Sequence, residues 1–292
     1  MEFVMAFVES ILRLSIPLLF AAYGGLISER SGLANVALEG KLLISAFVGA
    51  AVAATTQNPW LGLVAGVAAG AAGGWLFGAL ALYSRADHIV IGTAFNMLVA
   101  GLIPTITRSW FGVTGSTPQL ERSARLPSDF GFFVLAIVIG GLLYWALRET
   151  RWGLRLTAAG DEPEALRVQG VSARGVRLWA SALAGAVVAF GGIDLSLCQG
   201  SGYIRDMAGG RGFIALAALI FGGWRPVQTG LACLLFAAAD AAQMLLQGKS
   251  VFDWVIPNSI VQIVPYIATL MVLALRRTGP AASAPRAINR PL

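Results

Sequence analysis

Nine apolar runs organise this chain, at 11–27, 33–54, 59–83, 89–107, 129–147, 177–197, 212–223, 227–247 and 257–275, each bounded by charges, proline or turn residues. A helix needs about 20 predominantly apolar residues to cross roughly 30 Å of hydrocarbon, and most of these runs have that length. The run from Phe213 to Gly222 is too short to cross alone, so it predicts a tilted or broken helix buried against protein, or a re-entrant segment. The pattern therefore predicts an all-α, polytopic transmembrane helical bundle of eight or nine spans. Composition excludes the soluble alternative: 57% of residues are hydrophobic and 12% charged, where soluble domains run near a quarter charged.

One membrane domain, residues 1–277, accounts for nearly the whole chain, and residues 278–292, rich in Pro, Ala and Arg, predict a disordered cytoplasmic tail. The N-terminal MEFVMAFVES lacks a basic n-region and a small-residue cleavage site, so it is expected to be retained. The excess of 21 Lys+Arg over 15 Asp+Glu does not imply nucleic acid, because these charges lie between apolar runs. They give topology instead. With the segment 148–177 inside, the inner face collects Arg30, Lys41, Arg85, Arg148, Arg151, Arg155, Arg167, Arg174, Arg177, Arg225, Arg276, Arg277, Arg286 and Arg290. The outer face holds half as many: Arg13, Arg108, Arg122, Arg125, Arg205, Arg211 and Lys249. Nine spans then put the N-terminus outside and the C-terminus inside.

Glycines recur at close spacing, as in Gly66, Gly70, Gly73, Gly74 and Gly78. Lipid provides no hydrophobic drive for helices to pack, so close van der Waals fit between small residues must provide it. No catalytic or metal-ligating constellation is visible. His88 is the single histidine, Cys198 and Cys233 read as packing residues, and Gly248-Lys249-Ser250 lacks the glycine of a phosphate-binding loop, since Gln243 stands there. Any nucleotide hydrolysis must come from another chain, and no cofactor is expected on this one.

The most informative element is the polar interlude from Glu149 to Arg177. Within it Asp161 predicts an N-cap, Pro163 sits in the first turn, Glu164 completes a capping box, and Gly170 supplies a stop. The product is a helix of about two turns, too short to be stable in water without a surface to dock into. Such a helix fits a groove on a cytoplasmic partner.

The stretches GGLISERSGLANVALEG (Gly24 to Gly40), RWGLRLTAAGDEPEALRVQGV (Arg151 to Val171) and AGGRGFIALAALIFGGWRP (Ala208 to Pro226) resemble the ABC importer permeases of the branched-chain amino acid and simple sugar type. The likeness is strongest to the nucleoside and simple sugar permeases and covers roughly residues 10–275. The resemblance implies a multi-pass subunit of the bacterial plasma (inner) membrane that transports a nucleoside or simple sugar. It also implies its partners: cytoplasmic ATPase subunits that bind the ATP, a second related permease and an extracytoplasmic solute-binding lipoprotein. By the same resemblance Asp161, Glu162, Pro163, Glu164, Ala165 and Gly170 form the coupling helix that docks on the ATPase.

Charged groups inside a bilayer are costly, about 2.5–3.5 kcal/mol at mid-span. Asn35 and Glu39, one helical turn apart, are expected to share a face and to line a pathway, while a snorkelling or locally paired Lys41 explains itself. Asn96, and Asp240 with Gln243, are the remaining path candidates. On the outer side Arg205 and Asp206 are candidates for charge pairs with the binding protein. An ion-coupled secondary transporter is the competing reading, because the Gly209-Gly210-Arg211-Gly212 turn before the short run at 213 permits a broken helix.

Overall fold

A computed structural model describes residues 2–84, 86–127 and 129–246, with short pieces at 250–251, 254–255, 284–285 and 288. The run 257–275 lies outside the described residues, as do Lys249 and nearly all of the tail. Helices α1 (Glu2–Arg30), α2 (Leu38–Thr56), α3 (Pro59–Tyr83), α4 (His88–Phe111) and α5 (Asp129–Glu149) come first. Then follow α6 (Arg151–Asp161), α7 (Pro163–Val168), α8 (Ala173–Ile193), α9 (Arg211–Phe221) and α10 (Pro226–Leu246). A two-residue strand pair joins Ser250–Val251 to Trp254–Val255. Seven of the described helices are long and apolar enough to cross a membrane, with α8 running on to Gln199 through wider π-helical turns.

Local chemistry sets many of the boundaries. The Asn58 side chain accepts the N–H of Trp60 at 3.0 Å, with Pro59 as the first residue of α3. Asp87 caps α4 through Ile89 N at 2.7 Å, Thr150 caps α6 through Gly153 N at 3.1 Å, and Ser172 caps α8 through Gly175 N at 3.2 Å. Large aliphatic side chains on the outward faces of α3, α4 and α5, such as Val64, Met97 and Leu142, are exposed. In a membrane they meet lipid, so their exposure carries no penalty.

The most extensive helix–helix contact among the described residues is between α3 and α8. A Cβ added to Gly70 would lie 2.6 Å from the carbonyl oxygen of Gly185, and Ser181 Oγ donates to the Gly74 carbonyl at 2.6 Å. Backbones approach this closely only where side chains are absent, which is the close packing expected of small residues in a bilayer.

The ends of the bundle are distinct. At one end Arg30, His88, α6, α7 and residues 222–225 gather: Arg30 donates to the Trp224 carbonyl at 2.7 and 2.9 Å, and Arg177 to that of Ala159 at 3.0 and 3.3 Å. At the other end Thr117 exchanges hydrogen bonds with Tyr203, Leu120 N donates to Ser201, and Arg13 pairs with the Gln199 carbonyl at 3.1 Å.

Two departures from the sequence reading matter. The segment 31–37, expected inside a span beginning at 33, is not helical; it folds back into the bundle so that Leu38 packs on Gly25, five residues before the end of α1. The second concerns the short run at 213. Tyr203 meets Phe47 edge-to-face with ring centroids 5.6 Å apart, while Gly212 reaches Glu39, about 12 Å further along α2 at 1.5 Å per residue. Residues 200–210 thus descend as irregular chain, and α9 completes the passage to Trp224 at the α6 end. It is a broken crossing rather than a re-entrant loop.

Candidate translocation path and coupling surface

The N-terminus of α9 starts partway along the bundle, half-buried, and its free N–H groups need acceptors. Glu39 does so. Its carboxylate accepts Gly210 N at 2.8 Å on one oxygen and Gly212 N at 2.7 Å on the other. A carboxylate at this position also meets the positive end of the helix dipole. Arg211, the first residue of α9, donates to the carbonyls of Met207 and Ala208 at 3.0 and 3.3 Å and interacts electrostatically with Asp240, Glu39 and Asp194. Four ionisable groups from α2, α8, α9 and α10 are thereby assembled around the break.

Asn96 lies in α4 against the start of α2. Its amide oxygen accepts Gly40 N at 2.8 Å and its amide nitrogen donates to the Val36 carbonyl at 2.9 Å. One side chain thus satisfies backbone groups on both sides of the turn into α2. Asp240 and Gln243 are half-buried on α10.

Asn35 departs from its expected place. Because α2 begins at Leu38, Asn35 shares no helical face with Glu39; it is fully buried in the folded-back segment, donating N–H to Glu29 Oε1 at 3.3 Å and accepting Lys41 Nζ at 2.8 Å. Lys41 neither snorkels nor pairs with an acid among the described residues: it is fully buried, held by Asn35 and lying 4.3 Å from the Phe77 ring centroid. Glu29 also accepts Trp224 Nε1 at 2.6 Å, joining this cluster to the end of α9.

The polar interlude forms two helices where one was expected. α6 runs to Asp161, and Glu162, with φ −143° and ψ 74°, breaks it. The cause is Pro163, whose ring disfavours helical geometry at the preceding residue. The N-cap of α7 is therefore Glu162 and not Asp161, no side chain caps it, and the expected capping box does not form. Asp161 ends α6 instead and interacts electrostatically with Arg30. The stop at Gly170 is as expected: φ is +73°, Gly170 N bonds the Arg167 carbonyl at 3.0 Å, and Val171 N that of Leu166 at 2.9 Å.

α7 is anchored on one side only. Leu166 is buried, whereas Glu164, Ala165, Arg167 and Gly170 are exposed and Val168 is 85% exposed. Beneath it α6 is held firmly. Gly160 lies against the Arg30 carbonyl, and Arg177, fully buried, donates to Ala159. Leu154, 64% exposed, adds a second apolar side chain to the same end. At the opposite end Arg205 and Asp206 pair with each other at 3.5 Å and are both well exposed.

Sequence reasoning missed Arg177, Trp224 and Glu29 as parts of this framework. The only signal was the cost of polar groups inside apolar runs, which says that a partner exists without saying which.

Residues 7–275 match the family described as the branched-chain amino acid transport system / permease component. A nucleoside ABC transporter permease protein of Lactococcus lactis subsp. cremoris is 31% identical over 290 residues, covering 92% of this chain and 91% of the relative. A guanosine ABC transporter permease protein of Bacillus subtilis is 32% identical, covering 88% of this chain and 87% of its own. A putative glucose ABC transporter permease protein of Haloferax volcanii is 30% identical, covering 86% and 80%. With its bundle of membrane-length helices and a family match across nearly its whole length, the chain belongs to the permease components of this transport family.

Proposed function

We propose that this chain is the non-catalytic permease subunit of an ATP-driven importer in the bacterial plasma membrane, and that it carries a nucleoside, with a simple sugar as the next choice. The relatives named for nucleoside and guanosine transport, matching over most of both chains, favour nucleosides. The observation that carries the mechanism is the exposed α7, a one-and-a-half-turn helix fixed to the bundle through Leu166 and presenting Val168 outward. So short a helix, bearing an exposed apolar residue, suits a groove on a separate ATPase subunit, which would bind the ATP.

In this reading the α6–α7 end is cytoplasmic, which places Arg30, Arg148, Arg151, Arg155, Arg167, Arg174, Arg177 and Arg225 on the inner side. ATP-driven approach of two ATPase subunits moves α7 and, through the Gly160–Arg30 and Arg177–Ala159 contacts, the ends of α1 and α8. A second permease completes the path. Asp240, half-buried and drawn to Arg211, and Gln243 on the same helix face it, while Asn35, Glu39 and Asn96 hold the shape of its wall. The exposed Arg205–Asp206 pair meets the extracytoplasmic binding lipoprotein.

The test is uptake of radiolabelled nucleoside and of glucose by cells deleted for this chain. The deletion is expected to abolish nucleoside uptake, restored by the chain but not by one lacking 161–170. A defect confined to glucose would move the substrate to sugars, and unimpaired uptake of both would overturn the proposal.

A further inference from the structure

Two cavities on the flank formed by α1, α5 and α10 run into each other. The first, about 570 Å³, opens at the α6 end and is lined by Arg30, Arg148 and Arg225 together with Tyr144, Thr157 and Gln228. No carboxylate is among its lining residues, although Asp161 interacts with Arg30 from outside it. The second, about 320 Å³, is an almost wholly apolar groove between the helices, walled by Leu19, Ile137, Gly141, Leu231 and Leu234. Tyr144, Pro226 and Val227 line both, so the basic chamber continues directly into the apolar groove.

Two of the guanidinium groups have supports of their own. Arg30 is fixed on the Trp224 carbonyl, and Arg148 lies over the Tyr144 ring at 4.5 Å. Three guanidinium groups around one chamber favour an anion between them, and the planar guanidinium matches the oxygens of a phosphate. A soluble phosphate would use the chamber alone. The groove adds a demand for an apolar chain running along membrane-length helices. The groove has free space beside Gly141, where an added Cβ would meet nothing within 4 Å.

We propose that this flank is a binding site for an anionic phospholipid, with the headgroup phosphate among Arg30, Arg148 and Arg225 and one acyl chain in the groove between α1, α5 and α10. The lipid rests on three helices that also carry α6 and α9, so it braces the end of the bundle that presents α7. The site depends on the chain lying in a membrane and not on what it transports.

Native mass spectrometry of the full chain, released from detergent equilibrated with equal phosphatidylglycerol and phosphatidylcholine, tests this. Selective retention of phosphatidylglycerol is expected. The double variant R148Q/R225Q should weaken it about thirty-fold, as two basic residues beside an anionic lipid surface contribute, and Gly141→Phe should weaken it by filling the groove with the arginines intact. Equal retention of both lipids, or undiminished selectivity in both variants, overturns the proposal. Displacement by inorganic phosphate at the lipid's own concentration would make it a phosphate site, and full displacement by a purified ATPase subunit a protein-docking patch; either result overturns it. Lipid retention is read without ATP, substrate or uptake, so its failure would leave the importer reading standing, and a transport failure would leave the lipid site standing.

Discussion

The Glu39 carboxylate, at the first turn of α2, accepts the Gly212 N–H at 2.7 Å, 173 residues along the chain, and fixes the start of α9 in the middle of the bundle. With the Gly210 N–H at 2.8 Å on its second oxygen, it makes the broken crossing possible without orphaned backbone donors. Hydrogen bonds to a charged acceptor contribute about 1.5–3 kcal/mol each, and burying the freed N–H groups adds to the loss. Glu39→Ala is therefore expected to lower stability by about 3 kcal/mol and Glu39→Gln by about half that, measured as thermal unfolding of the purified protein in detergent. Equal, near-zero losses for both would show that α9 does not need the cap.

Asn96 serves two backbone groups at once, Gly40 N and Val36 O. Asn96→Leu keeps the volume and removes both partners, leaving each group unsatisfied at about 1–3 kcal/mol. A loss of about 2–4 kcal/mol in the same unfolding assay is expected, with proportionate loss of assembled protein in the membrane. A variant of full stability and impaired uptake would instead make Asn96 a substrate contact.

Gly185 faces Gly70 and Gly74 across the α3–α8 seam, where an added Cβ meets backbone rather than a movable side chain. Gly185→Val is expected to cost at least about 3 kcal/mol, the upper end for overpacking, and to show as aggregation on size-exclusion chromatography. Gly101→Ala, on open surface, should have no measurable effect on the same column.

Leu166 and Val168 lie two residues apart on α7 and face opposite ways. Leu166→Ala is expected to cost about 2–5 kcal/mol in folding stability, as a truncated core leucine does. Val168→Glu should leave stability unchanged and weaken association with the ATPase subunit at least about tenfold, the effect of burying an unpaired charge in an interface. Calorimetry of the isolated chain and binding measurements with the ATPase separate the two.

The spans were legible in the sequence because a bilayer asks for long apolar runs, and the run 59–83 coincides with α3 while 89–107 falls within α4. The stop at Gly170 was legible for a local reason, since only the residue at the left-handed position is specified. The break at Glu162 was encoded by Pro163, but Asp161 offered a competing cap signal, and α6 extends to it because Thr150 starts that helix earlier. The folded-back segment 31–37 was not legible: its residues are apolar enough to read as helix, and what holds it out of helical form is Asn96 from α4 and Glu29 from α1. The cap that Glu39 provides was not legible for the same reason. A carboxylate near a span end does not name the distant backbone it accepts, here 171 and 173 residues away.

The central claim is that movement of this bundle is powered from outside the chain, through α7. It is tested most directly by nucleoside uptake into proteoliposomes holding the complete importer, driven either by ATP or by an imposed proton or sodium gradient, with the chain intact or carrying Val168→Glu. ATP-dependent uptake that falls at least about tenfold in the variant, with no response to either gradient, is the predicted result. Uptake that follows an ion gradient without ATP, or that is indifferent to Val168→Glu, would contradict it.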